Sequence, residues 1–262
     1  MIVLNENDWA YEMIQSKSLG KKPYETLCRV ARYYREKKGY TKREVRAELD
    51  KFLLKCDPTA SIPKWSDTLD YAVKSAFKYK SVAINMVYIT KSEMDVIDSL
   101  DGRQTKRLAF TLLCLSKYWD AVSDSDNHWV NNRDSDIMRM ANINTSIKRQ
   151  SLLYHTLNEK GLIDFSKKVD NTNVRVLFGD YADTSEVVLK VTDFRNLGYQ
   201  YMMHHGESYF VCDNCGITTK MRNPSVGRKQ KYCPDCANQI KMQQIINSVM
   251  KKRKPVHVSG NV

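Results

Sequence analysis

The 262-residue chain has little glycine and little proline, 10 and 6 residues, which excludes collagen-like and low-complexity readings. It also lacks long apolar runs. The most apolar stretch, residues 108–115, is eight residues long and includes Thr111, whereas a membrane-spanning helix needs about 20. The N-terminus, Met-Ile-Val-Leu-Asn-Glu-Asn-Asp, carries no basic leader and no extended apolar segment. No signal peptide is expected, and the expected location is cytoplasmic. Acidic residues are scarce at the C-terminal end: residues 212–262 hold 10 basic and 2 acidic side chains, against 18 and 14 in residues 1–98 and 14 and 14 in residues 99–211. The overall formal charge is +12, which points to an anionic partner such as nucleic acid.

Cysteine is sparse except in one place. Of the seven cysteines, Cys28, Cys56 and Cys114 lie singly among apolar residues, while Cys212, Cys215, Cys233 and Cys236 form a C-x2-C-x17-C-x2-C pattern. An odd count without an export signal argues against a disulfide scaffold. Two residues between cysteines let one tight turn aim both sulfurs at one tetrahedral ion, and Gly216 lets the backbone turn beneath it. Four soft thiolates favour one structural Zn2+ over iron, with no open coordination position for catalysis. A thiol redox pair is the weaker alternative. The pattern resembles a zinc ribbon with all four ligand positions matched. One bound ion with four thiolates adds about −2, so the tail is nearer about +6 than its formal +8.

No acidic residue occurs from Gly216 to Tyr232, a stretch that contains Lys220, Arg222, Arg228, Lys229 and Lys231. A helix is expected over residues 237–252, with Ile240, Ile245, Ile246 and Val249 as its apolar positions, running into Lys251, Lys252, Arg253 and Lys254. Arg228, Lys229, Lys231 and the four tail residues are candidate phosphate contacts; the alternative is a solvated loop and a frayed tail.

In the N-terminal region, Pro23 and Gly39 bracket a helix over residues 24–38 with Tyr24, Leu27, Cys28 and Ala31 on its buried stripe. Thr41 and Glu44 form a capping box for a second helix with Val45, Leu49, Phe52 and Leu53 inside. A third starts near Ser66 and buries Leu69, Val73, Ala76 and Phe77. Arg29, Arg32, Arg35, Lys37, Lys38, Lys42, Arg43 and Arg46 form either a phosphate-binding face or, as the interspersed Glu36, Glu44 and Glu48 favour, the solvated side of two amphipathic helices. Thr90 and Glu93 make another capping box. A longer helix from Arg103 to about Val122, with Leu108, Leu112, Leu115 and Trp119, is expected at the centre of the fold.

Residues 128–191 carry the next pattern: a short strand at 128–130, a short helix over 135–141 with Ile137, Met138 and Met140, and a turn at Asn142-Ile143-Asn144. A longer helix over 145–160 ends at Gly161, and two strands over 163–169 and 174–178 flank a loop of turn formers. A further strand is expected over 187–191. Helix, turn, helix and hairpin, with the Leu157-x-x-x-Gly161-Leu162-Ile163 ending, resemble the winged helix-turn-helix domains of phage and plasmid replication initiators and phage regulators. The resemblance implies a recognition helix whose first turns, Thr145, Ser146, Lys148, Arg149 and Gln150, enter the major groove, and a wing whose Lys167, Lys168 and Arg175 meet the backbone. Winged helices also dock on proteins, and the neutral charge of this segment gives it little counterion release.

Catalytic signatures are lacking: there is no Walker loop, no Rossmann glycine fingerprint and no Gly-x-Ser-x-Gly elbow, so no enzyme activity is expected. His204-His205 reads as an exposed loop pair, because the 17 residues between the cysteine pairs contain no histidine. Asp124, Asp126, Asp134 and Asp136 read as a solvated loop with a helix cap. The expected architecture is mainly α with small β elements: a helical domain over 1–100, a winged helix-turn-helix with its leading long helix over 101–200, and a four-cysteine zinc ribbon, helix and basic tail over 201–262. The expected partner is nucleic acid, duplex DNA before RNA, in phage-type replication initiation or transcriptional control. The alternative is a host or phage protein or nucleoprotein complex, as for a phage-encoded inhibitor.

Overall fold

A computed structural model describes residues 2–123, 125–167, 173–180, 186–222 and 230–252, the side chains of residues 251 and 252 excepted. The chain is mainly helical with small antiparallel sheets. Four helices open it: α1 (Glu6–Ser16), α2 (Pro23–Lys38), α3 (Lys42–Cys56) and α4 (Ile62–Lys78). They close around Leu27, Leu49, Phe52, Leu53 and Leu69. Pro23 starts α2 and Gly39 ends it in the left-handed region, at φ 69°. The Thr41–Glu44 capping box forms as its spacing predicts. Helix α4 begins at Ile62, four residues before the expected start at Ser66, because Pro63 fits a first turn whose N–H groups have no helical acceptor.

Two residues of the expected stripes lie at the rim instead. Tyr24 is exposed and packs on Tyr71, their ring centroids 5.2 Å apart. Phe77 is exposed too, with the Arg35 and Lys42 cations over its ring. Helix α1 escapes the periodicity argument because its buried positions include the polar Glu6 and Asn7. Glu6 takes up much of the basic face: Arg29 Nε and Arg32 Nη2 donate to Glu6 Oε1 at 3.0 and 2.9 Å, all three side chains largely buried. Arg35 pairs with Glu36, and Arg46 with Asp50 and Asp70. Much of that face is therefore internal wiring between helices.

A second core is built on α6 (Arg103–Ser123), which buries Leu108, Phe110, Leu112, Leu113 and Leu115 among others and holds the central place its apolar face predicts. Preceding it are β1 (Val87–Thr90) and α5 (Lys91–Asp98). The Thr90–Glu93 capping box forms, and Glu93, fully buried, also accepts from Lys117 Nζ on α6 and from the backbone of Asp180. After α6 come β2 (Trp129–Val130), α7 (Asp134–Met140), α8 (Ile147–Glu159), β3 (Ile163–Phe165) and β4 (Val174–Val176). The sheet order is β2-β4-β3, with Asp164 and Trp129 both opposite Arg175. Strands β3 and β4 are shorter than the 163–169 and 174–178 expected. The next strand, β5 (Val187–Val191), pairs with β1 and so ties the end of this region back to its beginning. Then follow α9 (Leu197–His204), the hairpin β6 (Tyr209–Val211) and β7 (Thr218–Lys220), and α10 (Pro234–Lys252).

Candidate metal centre and nucleic-acid interface

The cysteines come together as their spacing predicts. Cys212 and Cys215 occupy the turn of the β6–β7 hairpin, where Gly216 N donates to Cys212 O at 2.9 Å and Gly216 sits at φ 72°. Cys233 immediately precedes α10, and Cys236 lies in its first turn. A hairpin turn supplies one pair and a helix start the other. All four sulfurs lie within 4.8 Å of one another, and Cys215 Sγ is 3.8 Å from Cys233 Sγ. Tetrahedral thiolates about 2.3 Å from a shared ion have sulfurs about 3.8 Å apart, so the set fits one metal ion.

The surroundings are arranged for sulfur anions. Cys233 N donates to Cys212 Sγ at 3.2 Å, and Asn214 Nδ2 to Cys236 Sγ at 3.3 Å. Burial opposes ionisation of Cys212, but N–H groups of Cys233, Cys215 and Asn214 outweigh it and bring that thiol down to about 6. Burial pushes Cys215 up to about 12 and raises Cys233 as well. The first negative charge is cheap and further ones need a cation among them. Among the described residues, Ile217 is the one apolar side chain other than the cysteines that packs on the cluster, so their contribution to a hydrophobic core in this module is small.

Two residues that carry no motif fasten this module to the second core. Arg195 Nη2 donates to Cys215 O at 2.5 Å while its guanidinium pairs with Asp193. Asn196 Nδ2 donates to Thr218 O at 2.9 Å. Neither has a sequence signal beyond its residue type, because both act through backbone carbonyls.

On the α7–α8 unit, Asn142 takes the left-handed conformation in the turn, at φ 55°. Ser146 caps α8 by accepting from Arg149 N at 3.4 Å, and Gln150 Nε2 donates to Thr145 O at 2.9 Å. Ser146 and Gln150 therefore already serve the turn, and Thr145 is half-buried. Lys148 and Arg149 are exposed on the first turn of α8, while Leu153, Tyr154 and Leu157 face the core. Ile147, 81% exposed, and Leu152 share the outer surface. Lys167 and Arg175 are exposed on the hairpin, and Arg175 stands opposite Asp164. Lys231 is exposed on the cysteine module, its carbonyl accepting from Asp213 N. Lys168, Arg228, Lys229, Arg253 and Lys254 lie outside the described residues, as do the side chains of Lys251 and Lys252 at the end of α10.

Of the apolar positions expected on α10, Ile240 is half-buried, whereas Ile245, Ile246 and Val249 are exposed, with Met242 and Met250 beside them. The histidines sit at a helix end rather than in a loop: His204 closes α9, and His205 Nε2 lies 3.1 Å from Asp98. Asp134 and Asp136 open α7, and Asp124 lies outside the described residues. No helix among the described residues is long and apolar enough to cross a membrane. No family model, curated protein or solved structure matches the chain.

Proposed function

We propose that the chain is a nucleic-acid-binding protein that recognises duplex DNA through α8 as part of a winged helix-turn-helix. The observation that carries this reading is the turn at the start of α8, where Lys148 and Arg149 are exposed and directed away from the buried Leu153, Tyr154 and Leu157. Arginine can read guanine in the major groove, and lysine can meet a phosphate. The exposed Lys167 and Arg175 of the β3–β4 hairpin support the reading. In this account Cys212, Cys215, Cys233 and Cys236 hold one Zn2+, which supplies fold and no catalysis, and the basic loop and tail add sequence-independent affinity. The role is replication initiation or transcriptional control of the phage type. It is tested by binding of the chain and of Arg149→Ala to specific and random duplexes across a salt series.

A second reading has its own observation. Ile147 and Leu152 on α8, and Met242, Ile245 and Ile246 on α10, are exposed apolar side chains, which suit a protein surface better than a phosphate backbone. A chain that captures a partner protein after nuclease treatment and shows no DNA affinity at low salt takes this second reading.

A further inference from the structure

Arg107, on the first turns of α6, is half-buried, and among the described residues its enclosed Nε has no hydrogen-bond partner. Its stem runs against α9, where a Cβ at Gly198 would come 3.1 Å from Arg107 Cδ, so a glycine there leaves the side chain its place. Burial lowers the guanidinium below its ordinary range. A cation held this way without a carboxylate is costly, unless something anionic reaches it.

The space it faces is a cleft of about 470 Å3 between α6, α9 and the β6–β7 hairpin. Arg103 and Lys220 line the same cleft, and Glu207 is the one carboxylate among the described residues that line it. Glu207 is already paired with Arg103, so the cleft keeps a surplus of positive charge. Tyr199 and Tyr209 also line it, their rings 4.8 Å apart and tilted by 34°. Cations beside an aromatic face are what a nucleotide needs: charge-assisted bonds to phosphate and a ring surface for the base.

We infer that this cleft binds a nucleoside monophosphate unit, free or within a single strand, with Arg107, Arg103 and Lys220 on the phosphate and Tyr199 and Tyr209 against the base. None of these residues belongs to α8 or to the metal ligands, so the inference does not depend on duplex recognition. Loss of duplex binding in Arg149→Ala leaves it intact.

The test is a titration of the full 262-residue chain with AMP, inorganic phosphate and a short single-stranded oligodeoxynucleotide, followed by amide NMR shifts and calorimetry. AMP is expected to move the signals of Tyr199, Tyr209 and Lys220 and to saturate at about 0.1–1 mM, with inorganic phosphate weaker. Arg107→Met, which keeps the stem against Gly198, and Lys220→Ala should each weaken AMP about tenfold. Binding of AMP alone assigns the cleft to a free nucleotide; binding of both AMP and the oligonucleotide assigns it to a strand. If Arg107→Met does not fold, Lys220→Ala and Arg103→Ala decide. The inference is overturned if neither AMP nor the oligonucleotide moves these signals at about 10 mM, or if the folded variants bind AMP like the unaltered chain.

Discussion

Asn142 and Asn196 both hold left-handed backbone, at φ 55° and 54°, and Asn142 Nδ2 donates to Asn196 Oδ1 at 2.9 Å. Asn142 Oδ1 accepts from Tyr199 N at 3.0 Å, and Asn196 Nδ2 reaches Thr218 O at 2.9 Å. One short chain of amides thus connects the α7–α8 turn, the start of α9 and the cysteine hairpin.

Asn196→Ala removes two side-chain hydrogen bonds and places a β-carbon in a left-handed conformation. It should destabilise the chain by about 2 kcal/mol, whereas Asn196→Gly, free of the backbone strain, should cost about 1 kcal/mol. Urea unfolding of both variants checks the order. Equal losses would show that the backbone conformation contributes nothing.

Gly198 makes a closer approach than any side chain allows. A Cβ there would lie 2.0 Å from Ala141 O, at the end of α7. Gly198→Ala should therefore force α9 away from α7 and cost about 3 kcal/mol or more. Thermal or urea unfolding measures it, and a loss below about 1 kcal/mol would contradict the packing described.

The reach of the sequence differs by element. Caps such as Thr41–Glu44 and Thr90–Glu93 are local, so a span of four residues is enough to place them. The four cysteines were legible for the same reason: two short turns and one ligand type. Helix α1 was not, because Glu6 is buried by Arg29 and Arg32 from another helix, a contact no periodicity encodes. The pairing of β1 with β5, the hold of Arg195 and Asn196 on the cysteine hairpin, and the close approach at Gly198 are all long-range contacts of the same kind. The stripe on α10 showed amphipathic spacing, yet spacing alone does not say that anything covers it.

Glu6 gives a stability prediction of its own. It accepts from Arg29, Arg32 and the backbone of Val82 within largely buried surroundings. Glu6→Ala would take the shared carboxylate from Arg29 and Arg32, two largely buried guanidinium groups, with Glu25 still beside Arg29, and should cost about 3 kcal/mol. Glu6→Gln keeps the shape but not the charge and should fall between. Chemical denaturation of the three chains tests the series.

The cysteine module should depend on its metal. Among the described residues its core is the four cysteines and Ile217, and a structural ion supplies on the order of 10 kcal/mol in small zinc-binding peptides. Elemental analysis should find one zinc per chain. Cys233→Ala or strong chelation should release it and unfold the tail while sparing residues 1–195, which hydrogen exchange resolves by segment. Absence of both zinc and iron from carefully purified protein would refute the site.

Duplex recognition by α8 is the claim on which the functional account turns, and its most direct test is fluorescence anisotropy of the chain and Arg149→Ala with selected and random duplexes over a salt series. The account predicts measurable duplex affinity at low salt, falling linearly on a log–log plot as salt rises. It predicts that Arg149→Ala loses about 1–3 kcal/mol on the selected site and far less on random DNA. No duplex binding at low salt, or an Arg149→Ala chain that binds both duplexes as the unaltered chain does, would contradict it.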